Sequence, residues 1–312
     1  MLKVNIQSFQ YPNSDKEVLS QVSFQLKKGE HLAILGESGC GKSTLLHIIY
    51  GLLNLEKGKI FYGTKQLFGP SHNLIPGHDC MKLVSQEFNL MPYTSVAENV
   101  GEHLTRQDKV EDSKKINEVL TTVGLLDIKE QKVTSLSGGQ KQRVMLAKAL
   151  VNAPEVFLLD EPFSSIDTFR KNQLRHTLFD YLKKHNIACI TATHDAEEAL
   201  SFSDTLLVLK DGKALQYGAP DQIYASATSV YEKGFFGEVS CIEAGILSDE
   251  ELVLLPHELE VSAVTTNFKV RIAQNYFKGS HYLVEANFNG KKVYFQNPEK
   301  IIEETVFLKL AP

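Results

Sequence analysis

Residues 36–44 read Gly-Glu-Ser-Gly-Cys-Gly-Lys-Ser-Thr, which is the composition of a loop that can bind phosphate. Glycine lets successive backbone N–H groups turn toward an anion and leaves no side chain in its way. Lys42 can reach the β- and γ-phosphates, and the Ser43 hydroxyl can ligate Mg²⁺. The sequence therefore predicts that the chain binds a nucleoside triphosphate. The residues expected at the phosphates are Gly36, Glu37, Ser38, Gly39, Cys40, Gly41, Lys42, Ser43 and Thr44.

Two carboxylates, Asp160 and Glu161, follow the apolar residues 156–159. Open α/β sheets place ligands at the carboxyl ends of buried strands, which is where this pair is expected. Asp160 could hold Mg²⁺ through water, and Glu161 could orient or deprotonate an attacking water. His194 follows another predicted strand, residues 187–192, and could contact the γ-phosphate.

A second anion-binding helix terminus is predicted at Ser137, Gly138, Gly139 and Gln140. Ser137 is a suitable N-cap, and the positive end of the helix dipole lies beyond it. Tyr11, at the end of the first predicted strand, could stack on a purine base, although a tyrosine in this place can also serve packing alone.

Alternating and continuous apolar runs predict the elements that carry these residues. The apolar residues 32–35 predict a buried parallel strand before the loop, and Leu45, Ile48, Ile49 and Leu52 predict a helix after it. Residues 2–6 and 22–26 alternate, as in an antiparallel pair. The region 88–152 is expected to be mostly helical, with Ser113 as a possible N-cap of one helix. An α/β fold with an antiparallel β subdomain and a helical subdomain follows.

Short strands replace this pattern beyond about residue 238. They are expected at residues 252–255, 269–273, 282–288, 291–296 and 305–310, and Asn289-Gly290 is a strong hairpin signal. Five such strands suggest a small barrel of the OB type.

The composition narrows the function further. The 312 residues carry a formal net charge of -5 without a basic block, so capture of nucleic acid is not indicated. The four cysteines lack metal spacing and favour a reducing compartment. Neither a signal peptide nor about 18 consecutive apolar residues is found, so a membrane role would be peripheral.

The ordered motifs resemble those of the ATP-binding cassette (ABC) ATPases over roughly residues 1–235. In that family they are the A-loop, Walker A, Q-loop, signature, Walker B, D-loop and switch histidine. The resemblance implies that ATP and Mg²⁺ are the cofactors, with Gln86 as the Q-loop residue at the metal and the reacting phosphate. The corresponding positions are Tyr11, residues 36–44, Gln86, residues 136–140, residues 156–161, residues 164–167 and His194.

Several segments are similar to the importer branch of this family. They include residues 87–100, residues 195–199 and residues 217–220, and residues 255–258 and 277–282 resemble a TOBE domain. The resemblance implies an ATPase domain at 1–235 and a TOBE-like domain at 239–312. It also implies a head-to-tail homodimer on the cytoplasmic face of a membrane, with separate permease subunits and a solute-binding protein.

Two departures from the family pattern and three alternatives remain. Ser165-Ile166 stands where the D-loop usually has Ala-Leu, and Leu255 stands where the TOBE motif commonly has arginine. The chain could instead serve an exporter or a lipid transporter, or be a soluble ABC-type ATPase that acts on DNA or ribosomes. The C-terminal domain could sense a solute or regulator, or only stabilise the dimer.

Overall fold

The computed structural model describes residues 1–12, 14–73, 75–85, 89–105 and 107–312. Its contacts divide the chain into two compact units, Met1–Ile223 and Tyr224–Pro312. Within the described ranges, no helix combines the length and the apolar character needed to cross a membrane.

The described strands of the first unit form one ten-stranded sheet in the order β5-β4-β1-β2-β10-β9-β3-β8-β7-β6. They are β1 (Leu2–Gln10), β2 (Glu17–Leu26), β3 (His31–Leu35), β4 (Lys57–Tyr62), β5 (Lys65–Leu67), β6 (Met81–Val84), β7 (Val156–Asp160), β8 (Ala188–Thr193), β9 (Thr205–Lys210) and β10 (Lys213–Gly218).

The strands at the two ends of this sheet differ in whether they pair in parallel or antiparallel, and in how many of their residues are buried. β3 pairs in parallel with both β8 and β9, and β8, β7 and β6 continue the parallel arrangement. Every residue of β3, β7 and β8 is buried, as expected of strands covered on both faces. β1 alternates buried and exposed residues and pairs antiparallel with β2 and β4. The predicted antiparallel pair and the buried strand are both confirmed.

Helices α1 to α6 belong to the first unit, α8 belongs to the second, and α7 spans the division between the units in the sequence. They are α1 (Lys42–Tyr50), α2 (Val96–Val100), α3 (Lys109–Thr122), α4 (Gly138–Leu150), α5 (Thr168–Lys184), α6 (Ala196–Phe202), α7 (Pro220–Ser226) and α8 (Val230–Lys233).

Two helix boundaries differ from the prediction. α1 ends before Leu52, because Gly51 adopts a left-handed conformation with φ 88° and caps the helix there. α3 begins earlier than Ser113, because the Asp108 carboxylate accepts hydrogen bonds from the backbone N–H groups of Val110 and Glu111 at 2.9 and 3.0 Å. An aspartate is a strong N-cap, and it overrides the apolar spacing that suggested the later start.

The second unit has a five-stranded sheet in the order β13-β17-β14-β15-β16 and a two-stranded sheet of β11 and β12. Asn289 and Gly290 have φ values of 51° and 85° and join β15 to β16, so the hairpin prediction is confirmed. β11 and β13, of three residues each, were not predicted from the sequence. The strands are β11 (Ser240–Ile242), β12 (Leu252–Leu254), β13 (Leu259–Val261), β14 (Lys269–Phe277), β15 (Tyr282–Phe288), β16 (Lys291–Asn297) and β17 (Thr305–Leu310).

Candidate functional site

The loop between β3 and α1 has the backbone geometry that close contact with phosphate requires. Gly39 and Gly41 have φ values of 83° and 109°, which side chains with a Cβ rarely adopt. A Cβ on Gly36 would lie 2.5 Å from the carbonyl oxygen of Leu209, so only glycine fits there. Lys42 is 5% exposed, and its Nζ donates to the carbonyl of Gly36 at 2.7 Å. The loop therefore holds a buried cation at the start of a helix, where an anion is favoured.

Asp160 ends β7 and faces this loop. Its Oδ1 is buried and has no hydrogen-bond partner among the described residues. Burial raises the pKa of the Asp160 carboxyl, and a hydrogen bond from the Ser43 side chain opposes that rise. A buried carboxylate oxygen without a donor, beside a hydroxyl, fits Mg²⁺. No group of three His, Cys, Asp or Glu side chains forms a metal cage among the described residues, so the phosphates would have to supply further oxygen ligands.

Glu161 and His194 meet at the ends of β7 and β8. Glu161 Oε1 lies 3.2 Å from His194 Nδ1, and the His194 side chain is 58% exposed. Glu161 has φ 48°, a left-handed conformation that costs a non-glycine residue about 1–3 kcal/mol. Its backbone N–H donates to the carbonyl of Ala192 at 3.0 Å, which ties the residue to β8. The strained backbone thus turns the carboxylate of Glu161 toward His194.

Tyr11 lies near the loop and makes a polar contact of its own. Its hydroxyl is 2.9 Å from Thr44 Oγ1, and its ring makes an edge contact with Phe9 at 5.2 Å between centroids. The residue is 37% exposed, so part of it faces solvent at this side of the loop. Gln86, the predicted Q-loop residue, lies outside the described residues.

The segment at the start of α4 stands apart from the phosphate loop. Ser137 caps α4: its hydroxyl accepts from Gln140 N at 3.3 Å, and Gln140 Oε1 accepts from Ser137 N at 2.8 Å. Ser137 and Gly138 are exposed. The structure therefore brings the loop, Asp160, Glu161 and His194 together, and it leaves the capped terminus of α4 facing solvent.

A buried ion network behind His194 was not predicted from the sequence. Arg175 is 1% exposed, and its Nη2 donates to Asp195 Oδ2 at 2.6 Å and to Glu198 Oε2 at 3.1 Å. Lys171 Nζ donates to the same Asp195 oxygen at 2.6 Å. Burial acts against the charged form of Asp195, but the bonds from Lys171 and Arg175 hold its pKa well below the usual range.

Glu198 is the most deeply buried acid of this network, at 4% exposure. Burial raises its pKa to about 7, against the attraction of Arg175. The sequence signals for the network were an arginine next to Leu174 on the apolar face of α5 and the acidic residues within 195–199. These signals give no indication of the partner, because twenty residues separate Arg175 from Asp195.

Comparisons with known proteins agree with this geometry. The sequence profile of the family described as "ABC transporter" matches residues 19–164. The spermidine/putrescine import ATP-binding protein PotA of Clostridioides difficile (strain 630) is 35% identical in an alignment of 299 residues, and the match covers 88% of this chain and 85% of the relative.

Two solved structures are similar in fold. CbiO1 of Clostridium perfringens, part of the ABC transporter complex CbiONQ, has a TM-score of 0.65 and 29% identity, over 72% of this chain and 90% of that one. The dimeric post-hydrolysis state of the ATP-binding cassette MJ0796, bound to ADP and Pi, has a TM-score of 0.60 and 27% identity, over 70% of this chain and 99% of that one. The chain therefore belongs to the ABC transporter family, as one of its ATP-hydrolysing ATPases.

Proposed function

We propose that the chain is the ATPase subunit of an ABC importer and energises solute uptake through separate permease subunits. The observation that carries the proposal is the relative named as an import ATP-binding protein, of which this chain covers 85% at 35% identity. The chain would act as a homodimer, peripheral on the cytoplasmic face of the membrane, with a solute-binding protein outside. Spermidine and putrescine, which the relative's name gives, are the first solutes to test.

The described residues suggest how ATP is bound. The backbone of residues 36–44 and the Lys42 ammonium would hold the phosphates, and Tyr11 would lie against the base. Ser43 and Asp160 would hold Mg²⁺ together with Gln86, and the metal would neutralise charge on the transferred phosphoryl group. The buried and otherwise unpartnered Oδ1 of Asp160 supports this assignment.

The same geometry suggests how hydrolysis is promoted. Glu161 would take a proton from the attacking water or orient it. His194, 3.2 Å from the Glu161 carboxylate, would contact the γ-phosphate and hold the water in line. Both side chains stand at carboxyl ends of parallel strands, where open sheets bind ligands.

A second chain would complete the site. Ser137 and Gly138 are exposed at the start of α4, where a helix terminus favours an anion. In a head-to-tail dimer, residues 137–140 of one chain would close over ATP bound to the other. ATP binding would then close the dimer and hydrolysis would reopen it, which would move the permease pair.

The dimer can be tested with Glu161→Gln, which keeps the shape of the side chain and removes its basicity. With ATP and Mg²⁺ the variant should sediment as a stable dimer and barely turn over. The double variant Lys42→Ala/Glu161→Gln is the matched control and should stay monomeric, because it loses the phosphate contact. Wild-type turnover by Glu161→Gln would remove Glu161 from its role.

Gly138→Arg tests the interface of that dimer. A Cβ at Gly138 would meet nothing within 4 Å, so the chain should fold and bind ATP normally. The arginine would occupy the place of the second chain, and the ATP-dependent dimer of Gly138→Arg/Glu161→Gln should be lost. Persistence of the dimer would contradict the proposed contact.

The direction of transport has to be measured in cells. Deletion of the gene should abolish uptake of labelled spermidine or another imported solute, and wild-type protein, but not Glu161→Gln, should restore it. Unchanged uptake of all solutes with reduced efflux would favour an exporter instead. Tight binding of the purified chain to DNA at physiological salt would favour the soluble ABC-type reading.

The C-terminal part would form a TOBE-like accessory domain at 239–312, built as a small OB-like barrel, with the ATPase domain at 1–235. The five-stranded sheet β13-β17-β14-β15-β16 supports this assignment. Leu255 replaces the arginine expected there, so a ligand dependent on that arginine is not proposed. Calorimetry of the full chain against inorganic oxyanions tests a sensing role, and absence of binding would leave a dimer-stabilising role.

A further inference from the structure

Gln142 joins α4 to the loop that carries Glu161. It is 5% exposed and lies in α4 two residues after the segment 137–140. Its Nε2 donates to the carbonyl oxygen of Glu161 at 3.2 Å, and its Oε1 accepts from the backbone N–H of Ser165 at 3.2 Å. A carbonyl can only accept and an N–H can only donate, so the amide orientation is fixed by its two partners. One buried side chain thus spans residues 161–165.

The first turn of α4 packs on the same loop through Gly139. A Cβ at this position would lie 2.9 Å from the carbonyl oxygen of Ser165 and 3.6 Å from Ile166 Cα. Backbone therefore contacts backbone here, and any side chain would push α4 away from the loop. The start of α4 and residues 161–166 are therefore in direct contact.

The backbone of Glu161 needs this support. Its φ of 48° is sparsely populated by residues with a side chain, and such a conformation persists only where the surroundings fix it. Its carbonyl oxygen accepts from Gln142 Nε2 and also from Ser164 Oγ at 3.1 Å. Ser164 is exposed and belongs to the same loop, so Gln142 is the donor that comes from a buried helix. Loss of that donor would weaken the support of the turn that directs the Glu161 carboxylate to His194.

We infer that Gln142 is a positioning residue that transmits the placement of residues 137–140 to Glu161 of the same chain. The inference rests on the proposed function, in which residues 137–140 close over ATP held by a second chain. Closure at that ATP would then set the turn at Glu161, which serves the ATP of its own chain. At each of the two sites, the position of Glu161 would thus depend, through Gln142, on nucleotide bound at the other site.

Gln142→Glu and Gln142→Leu test the positioning role. Glutamate keeps an acceptor for Ser165 N but loses the donor to Glu161, and leucine loses both. Both variants lose the hydrogen bond to the Glu161 carbonyl, and the loss of that one bond should lower kcat about tenfold while the KM and the binding affinity for ATP stay unchanged. Gln173→Glu, an exposed glutamine of α5, is the matched control and should keep wild-type kcat. Wild-type kcat in both Gln142 variants would overturn the inference, and so would an affinity loss that accounts for the whole effect.

Mixed dimers test which Glu161 depends on Gln142. In the first, one chain carries Gln142→Leu and its partner carries Glu161→Gln, so only the chain with the altered Gln142 retains a base. In the second, one chain carries both changes and its partner is wild type. The reference is a mixed dimer of one wild-type chain and one Glu161→Gln chain. The first test dimer should be about tenfold slower than this reference, and the second should match it. The reverse order would overturn the inference, because Gln142 would then act on ATP of the other chain.

The two proposals fail in different ways. If Glu161→Gln forms no ATP-dependent dimer, the proposed function fails, whatever the Gln142 variants do. If the dimer forms and the Gln142 variants keep wild-type kcat, only this inference fails. Thermal unfolding of Gln142→Leu, which places no charge in the buried site, should stay within a few degrees of wild type and so separates positioning from loss of fold.

Discussion

Glu198→Gln should remove a pH dependence of stability that the wild-type chain carries near neutral pH. The Glu198 carboxyl is 4% exposed and receives hydrogen bonds from Arg175 at 3.1 Å and Thr193 Oγ1 at 3.2 Å. Asp195 shares Arg175 and repels the Glu198 charge. The second carboxyl oxygen of Glu198, Oε1, has no hydrogen-bond partner among the described residues. The protonated form is therefore favoured in the fold.

The size of the effect follows from the shift of the Glu198 pKa from 4.5 to about 7. A shift of that size corresponds to about 3 kcal/mol. Because the folded-state pKa is raised, this stabilisation is fully present below pH 4.5 and is lost as the pH rises through about 7. Glutamine stays neutral, so the variant does not lose this stabilisation. The free energy of unfolding of the variant minus that of wild type should therefore increase by about 3 kcal/mol from acid to alkaline pH.

Urea unfolding of both proteins, followed by circular dichroism from about pH 5 to about pH 8.5, measures this difference. Burial also shifts other groups: it lowers the pKa of His31 and raises the pKa of Asp160. Their contributions are present in both proteins and cancel when variant and wild type are compared at each pH. A difference that stays constant across the range would refute the assignment of the raised pKa to Glu198.

Two further substitutions test charges on either side of the site. Lys42→Ala should weaken ATP binding itself by about tenfold or more, because a charge-assisted contact to phosphate is lost, and equilibrium binding of a fluorescent ATP analogue measures it. Arg175→Leu should lower the free energy of unfolding by about 3–5 kcal/mol, because it removes the cation beside the buried Glu198 and leaves the half-buried Asp195 with Lys171 alone. Lys171→Leu is its control and should cost about 1 kcal/mol, since Asp195 keeps Arg175.

The phosphate loop could be predicted from the sequence because its chemistry is local. The glycines fix the turn, the apolar run of β3 precedes it and the apolar face of α1 follows it, all within twenty residues. Asp160 and Glu161 were also accessible, because a buried strand of a parallel sheet delivers whatever follows it to the binding edge. The capped terminus at Ser137 followed from the preferences of a single helix start.

The support behind these residues could not be predicted, because it depends on contacts distant in sequence. Gln142 and Glu161 are nineteen residues apart, and Arg175 and Asp195 are twenty apart. The left-handed backbone of Glu161 is not a preference of glutamate, and only its surroundings impose it. The early start of α3 was missed for a simpler reason, since Asp108 caps a first turn whose apolar residues come later.

α5 connects the two halves of the candidate hydrolytic apparatus. Asp167, the last residue of the D-loop, is its N-cap, and Lys171 and Arg175 follow at intervals of four residues on one face. Both cations hold Asp195, which follows His194 directly. A shift of α5 at its N-terminus would therefore carry Asp195 with it and change the distance between His194 and Glu161. The N-cap of α5 ends the loop that Gln142 also contacts. A displacement at the start of α4 would therefore change the positions of Glu161 and His194 together.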